Sequence, residues 1–145
     1  MTPSLIDDVV TIEDDSFRYP WSKSSFEAEL QSRQSIDYVV TPADGRCVIA
    51  FICLRRMLED WHLLKVAVAP NCRRRGIARW LLGECFERAQ KDGINRIYLE
   101  LRPSNLPAKA LYEKLGFRKI GTRRKYYAET GEDALVFVKE LKEAL

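Results

Sequence analysis

The chain has 145 residues, enough to bury a real core in one domain and too few for two ordinary ones, so a single domain over 1–145 is expected. Its 24 basic and 21 acidic residues give a formal net charge of +3, and the two signs mix along most of the length, which argues against a nucleic-acid binder working through global charge. Four cysteines, Cys47, Cys53, Cys72 and Cys85, form no C-x-x-C pair, and His62 is the one histidine, so neither a zinc site nor a disulfide framework reads out of the spacing.

The N-terminus carries Asp7 and Asp8 rather than basic residues, and no stretch approaches the roughly 18 uninterrupted apolar residues of a membrane span. A soluble, cytoplasmic chain is expected. Leu5, Val9, Ile12 and Phe17 recur at helical spacing, and "RYPWSKSSFEAEL" interrupts them before a second short helix. Ser24 with Glu27 makes a capping box there, with Ser22 as the alternative cap. "IDYVVT" and "RCVIAFICLRRM" flank the turn "PADG" and read as a hairpin, and "WHLLKVAV" closes that antiparallel set.

After Pro70 the period changes from two to 3.6. Ile77, Leu81, Cys85 and Ala89 stack four apart, Ala78, Leu82 and Phe86 form the adjacent row, and "KDG" ends the helix. "NRIYLEL" is then a strand, "LPAKALYEKLG" a helix stopped by Gly116, and "FRKIGT" a strand. The polar loop "YYAETGED" precedes a last strand, "ALVFVKEL". Antiparallel strands followed by strand, helix, strand, helix, strand give an α/β or α+β sheet with helices on its faces.

Three segments carry chemistry. In "NCRRRGIARWLL" a strand, a short arginine loop, Gly76 and a helix bring backbone N–H groups and the positive end of a helix dipole to one place, which is an anion site. A solvated basic face is the plainer reading of the same run. On "RIYLEL" alternation puts Tyr98, Glu100 and Arg102 on one face; the carboxylate is either functional or ion-paired to a neighbour such as Arg102. In "SNLPAKALYEKLGF", Asn105 caps a helix whose apolar stripe is Ala108, Leu111, Tyr112 and Leu115, and Tyr112 is either functional or core with its hydroxyl satisfied.

In this order and spacing, "VAVAPNCRRRGIARWLL", the glutamate of "YLELR" and "SNLPAKALYEKLGF" resemble the GNAT superfamily of acetyl-coenzyme A dependent N-acetyltransferases. Arg73-Arg74-Arg75-Gly76-Ile77-Ala78 resembles its Arg/Gln-x-x-Gly-x-Gly/Ala pyrophosphate loop, and the likeness covers most of the chain from about Arg46 onward. "YPWS", "LYEKLGF" and "RRKYYAETGEDALVFVKEL" resemble, more narrowly, the RimI-type N-terminal acetyltransferases, which act on the terminal alanine of a ribosomal protein. The resemblance implies a mixed, mainly antiparallel sheet flanked by helices on both faces. The edge strand that usually opens the family is short or absent here, because "MTPS" leads almost directly into the first helix. Cys72, at a position where the family often has a bulky residue, reads as a small, buried or half-buried apolar side chain.

The same resemblance assigns roles. Glu100 is the general base, directly or through a water, and Tyr112 the general acid. Acetyl-CoA is held by Val66, Ala67 and Val68 along its pantetheine, by Arg73, Arg74, Arg75, Gly76, Ile77, Ala78 and Arg79 at its phosphates, and by Asn105 from the opposite wall. A main-chain N–H of Val66–Val68 serves as oxyanion donor. Tyr19, Pro20 and Trp21 line one side of a peptide groove, Tyr126 and Tyr127 the other. The acceptor is a protein N-terminus, with a ribosomal protein as the implied partner; no metal, nucleic acid or membrane is called for, and a monomer or weak dimer is expected. The alternatives are acetylation of lysine side chains or a small amine, a non-catalytic acyl-CoA-binding module, and a nucleic-acid binder using Arg73 to Arg75.

Overall fold

A computed structural model describes residues 1–141. Two short 3₁₀ turns, Pro3–Leu5 and Pro70–Cys72, accompany four helices and six strands among the described residues. In chain order these are α1 (Ile6–Ser16), α2 (Lys23–Gln31), β1 (Ser35–Val40), β2 (Ala50–Met57), β3 (Asp60–Val68), α3 (Ile77–Lys91), β4 (Arg96–Leu101), α4 (Leu106–Lys114), β5 (Arg118–Tyr127) and β6 (Glu132–Glu140). The described chain therefore opens on a helix, and no strand precedes α1. The strands form one sheet in the order β1-β2-β3-β4-β6-β5. The β1–β2, β4–β6 and β5–β6 pairs are antiparallel and β3–β4 is parallel.

By internal contacts the chain divides into two compact units, the first Met1–Arg56 with Leu63–Cys85, the second Met57–His62 with the chain from Phe86 onward. In the first, the helical stripe Ile6, Val9 and Ile12 of α1 packs with Phe26 of α2, Phe51 and Cys53 of β2 and Ala67 of β3. The rings of Phe26 and Phe51 meet edge to face at 5.7 Å, an arrangement that the ring quadrupoles favour. In the second unit Ile97, Leu99 and Leu101 alternate into the core while Tyr98 and Glu100 are half-buried on the other face, as the period of two requires. Leu99 lies opposite Phe137 of β6. Helix α3 buries the row Leu81, Cys85 and Ala89, with Leu82 beside it, and ends where Gly93 takes φ +75°.

Three boundaries differ from the sequence reading. Ser22, rather than Ser24, caps α2, its hydroxyl accepting from Ser25 N–H at 3.2 Å. Strand β2 starts at Ala50 and not at Arg46, because the chain before it is spent elsewhere: Val48 N–H goes to Asp8 Oδ2 of α1 at 3.1 Å. Tyr126 and Tyr127 are not in a loop but end β5, and Glu132 and Asp133 begin β6, which leaves residues 128–131 as the turn. The hairpin extends because Tyr127 pairs with Glu132 across it and Lys125 N–H is taken by Asp133 Oδ1 at 2.9 Å. A register shift between Arg123 and Tyr127, with Lys125 at φ +52°, re-aims the two tyrosines.

Candidate active site

In the first unit, β3 runs out through Val66, Ala67 and Val68, and the Pro70–Cys72 turn leads to the start of α3. Between them Arg74 adopts φ +65° and Gly76 φ +75°. Left-handed residues in such a segment turn successive main-chain N–H groups toward one side and make an anion nest. The α3 N-terminus, with Ile77, Ala78 and Arg79 in its first turn, adds unsatisfied N–H groups and dipole. A Cβ at Gly76 would meet nothing within 4 Å, so the glycine is required by its backbone angle and not by crowding. Arg74, Arg75 and Arg79 are exposed and make no ion pair among the described residues, whereas Arg73 is committed, Nε donating to Val68 O at 3.0 Å and Nη2 to Ser16 Oγ at 2.9 Å. Cys72 is half-buried, as its small side chain suggested. The site suits a polyanion that takes main-chain N–H groups and up to three free guanidiniums.

The same unit holds Tyr19, Pro20 and Trp21 on an irregular segment after α1. The Trp21 ring packs at a tilt against Phe26, centroids 5.3 Å apart, while Tyr19 and Pro20 face solvent. Beneath them Glu13, fully buried, pairs with Lys65 of β3 and accepts Trp21 N–H at 2.7 Å.

The second unit holds the proton-transfer candidates. Its parallel β3–β4 ladder runs from Asp60↔Arg96 to His62↔Tyr98, so His62 and Glu100 fall on one face, and the imidazole Nε2 meets Glu100 Oε2 directly. Arg123 Nε reaches the other carboxylate oxygen at 3.5 Å, and its guanidinium lies over the Tyr126 ring. Burial alone would raise the Glu100 carboxyl, but the hydrogen bond and charge of His62 and the charge of Arg123 outweigh it and hold the group below the usual glutamate range. Arg102, the neighbour considered as its partner in the sequence, is turned to Glu129 and Glu132 and stacks on Tyr127 at 3.9 Å. Tyr126 and Tyr127 stand edge to face at 5.0 Å.

Tyr112 is buried against Phe117, ring centroids 5.4 Å apart, and burial pushes its phenol well above the ordinary range, so it stays protonated. Burial is the one influence on its hydroxyl among the described residues. Asn105 caps α4, Oδ1 accepting from Ala108 N–H at 3.3 Å, which leaves its NH₂ for a ligand carbonyl.

Over residues 6–117 the sequence matches the acetyltransferase (GNAT) family. The chain belongs to the GNAT acetyltransferase family. It is 35% identical over 127 residues to the ribosomal protein bS18-alanine N-acetyltransferase of Escherichia coli, covering 86% of this chain and 84% of that one. The crystal structure of the Escherichia coli ribosomal-protein-alanine N-acetyltransferase superposes with a TM-score of 0.89 at 29% identity, over 100% of this chain and 93% of that one. An N-alpha-acetyltransferase of Saccharolobus solfataricus is 43% identical over 90 residues, 61% of this chain and 53% of that one. For a GNAT acetyltransferase, a polyanion-binding loop is the expected seat of a coenzyme A phosphate chain, and the loop at Arg74–Arg79 fits that group on its own geometry. Sequence reasoning singled out Glu100 in this GNAT chain but not His62, which meets it; being the one histidine, on the alternating face of a strand, was the signal it left. No described helix is long and apolar enough to cross a membrane.

Proposed function

We propose that this protein transfers acetyl from acetyl-CoA to the α-amine of a protein N-terminus, with the terminal alanine of a ribosomal protein as acceptor, in the cytoplasm. The observation that carries the reading is Glu100: a half-buried carboxylate kept ionised by His62 and Arg123, next to an aromatic pair, Tyr126 and Tyr127, of a kind that suits a peptide chain. The likeness to the bS18-alanine enzyme over most of both chains supports the acceptor.

Bound acetyl-CoA supplies an activated acetyl thioester. The N–H groups of Gly76 to Arg79, with Arg74, Arg75 and Arg79, hold the phosphates, and the Arg73 side chain braces the loop against Val68. The main chain of Val66, Ala67 and Val68 and the NH₂ of Asn105 bind the pantetheine amides, and an N–H of Val66–Val68 steadies the thioester oxygen. An α-ammonium has a pKa near 8, so attack requires a proton acceptor. Glu100 takes that proton, directly or through a water, with His62 holding the carboxylate in position. Tyr112 donates the proton on Oη to the leaving sulfur and regains one from the new amide nitrogen, which sheds its second proton. Tyr19, Pro20 and Trp21, and Tyr126 and Tyr127, contact the acceptor peptide.

The test is a panel of peptides differing at residue one, assayed with acetyl-CoA. Acetylation of free α-amines, best on an alanine start, is expected. Modification confined to lysine side chains, equal on free and N-terminally blocked peptides, overturns the acceptor assignment.

A further inference from the structure

The buried pair formed by Glu13 and Lys65 lies outside the proton-transfer machinery, and its composition is costly. Glu13 is fully buried, its Oε1 has no hydrogen-bond partner among the described residues, and Lys65 is only 11% exposed. Burying two charges rarely stabilises a fold more than apolar side chains of the same volume would, so stability alone does not account for the pair. What it does is geometric. Glu13 Oε2 binds both the Lys65 ammonium and Trp21 N–H, the latter at 2.7 Å, and Trp21 belongs to a segment that is neither helix nor strand. The Lys65 ammonium also lies 4.2 Å from the Phe17 ring centroid and 4.9 Å from that of Trp21, so one cation is shared by a carboxylate and two aromatic faces. The residues so tied, Phe17 and Trp21, bracket Arg18, Tyr19 and Pro20.

We propose that the Glu13–Lys65 pair is a positioning device: it fixes the Phe17–Trp21 segment in the shape that receives the acceptor peptide. The inference rests on the acceptor reading given above, and it adds two residues that touch neither the reacting atoms nor the cofactor phosphates. Glu13 acts through Trp21 N–H, and Lys65 through the rings of Phe17 and Trp21.

The decisive variant replaces both charges together, Glu13→Leu with Lys65→Met, because either single change leaves a charge buried and unpaired and risks the fold. A purely structural pair and a positioning pair differ in what this double variant retains. The expected result is a folded protein with thermal stability close to the parent, peptide KM raised about tenfold, and acetyl-CoA KM and kcat at saturating peptide within about twofold. Amide hydrogen exchange at Trp21, measured without substrate, is expected to quicken over the parent because the N–H has lost its acceptor. A folded double variant with unchanged peptide KM overturns the proposal, and so does unchanged exchange at Trp21. A parent protein that acetylates no peptide α-amine defeats the acceptor reading instead. In that case the exchange measurement still decides whether the pair orders the segment.

Discussion

At Glu100 burial and charge act in opposite directions, and the partners win: the carboxyl is held below the usual glutamate range, so it is ionised throughout the neutral region. An acid limb near pH 8 in the kcat/KM profile then belongs to the acceptor amine, while Glu100 sets the height of the plateau. Glu100→Gln keeps size and hydrogen-bonding reach but removes basicity, and kcat is expected to fall about 10²–10⁴-fold. His62→Phe removes the stronger of the two partners that oppose burial, so the Glu100 carboxyl moves up and a second acid limb enters the profile from below. Rate profiles of both variants, with melting temperatures, separate these outcomes from an ion pair that only stabilises. A destabilised but fully active Glu100→Gln leaves the base unassigned. The carboxylate was legible in the sequence because a charge inside an alternating strand is conspicuous. Its partner was not, because His62 lies 38 residues away and meets it only through a parallel ladder.

The phosphate loop and the β5–β6 hairpin show how differently elements declare themselves. Gly76, the helix period after it and the arginines before it are contiguous, and local geometry alone builds from them the loop proposed to hold the phosphates. Acetyl-CoA is therefore expected to raise the melting temperature, by an amount corresponding to about 2.7 kcal/mol at a hundredfold excess over Kd, and Arg74→Glu or Arg79→Glu to reduce the rise. Gly76→Ala meets no steric neighbour, so its cost, on the order of 1 kcal/mol, comes from φ +75° alone and is read as lowered stability of the free protein. No shift with saturating acetyl-CoA would contradict the cofactor assignment. The hairpin could not be read the same way. "YYAETGED" is polar enough for a loop, yet Asp133 takes Lys125 N–H and Arg102 stacks on Tyr127, contacts that make strand out of it and that no local pattern records. The late start of β2 has the same origin, in Asp8 of α1.

For the molecule as a whole, the pH dependence of stability is set by carboxylates displaced in opposite directions. Glu100, with its carboxyl lowered, contributes stability that is present above the unfolded pKa and is lost as pH falls through the folded one. Asp37 on β1 is the reverse case. Burial, with the charge of Glu29 nearby, pushes its carboxyl up to about 6, against weaker opposing hydrogen bonds from the Cys53 thiol and the Ser35 hydroxyl. The native state then binds a proton at Asp37 more tightly than the unfolded chain does. Its contribution is therefore fully favourable below the unfolded pKa, near 4, and is lost as pH rises through about 6. At pH 7 the ionised Asp37 is a net burden on the fold. Asp37→Asn removes the ionisation while keeping the shape, so it is expected to stabilise the protein by about 1–2 kcal/mol at pH 7 and by almost nothing at pH 4. Urea unfolding at several pH values between 4 and 8 measures the difference. A gain that is independent of pH would trace it to packing, and a loss at pH 7 would mean that the ionised carboxylate is stabilised in the folded state.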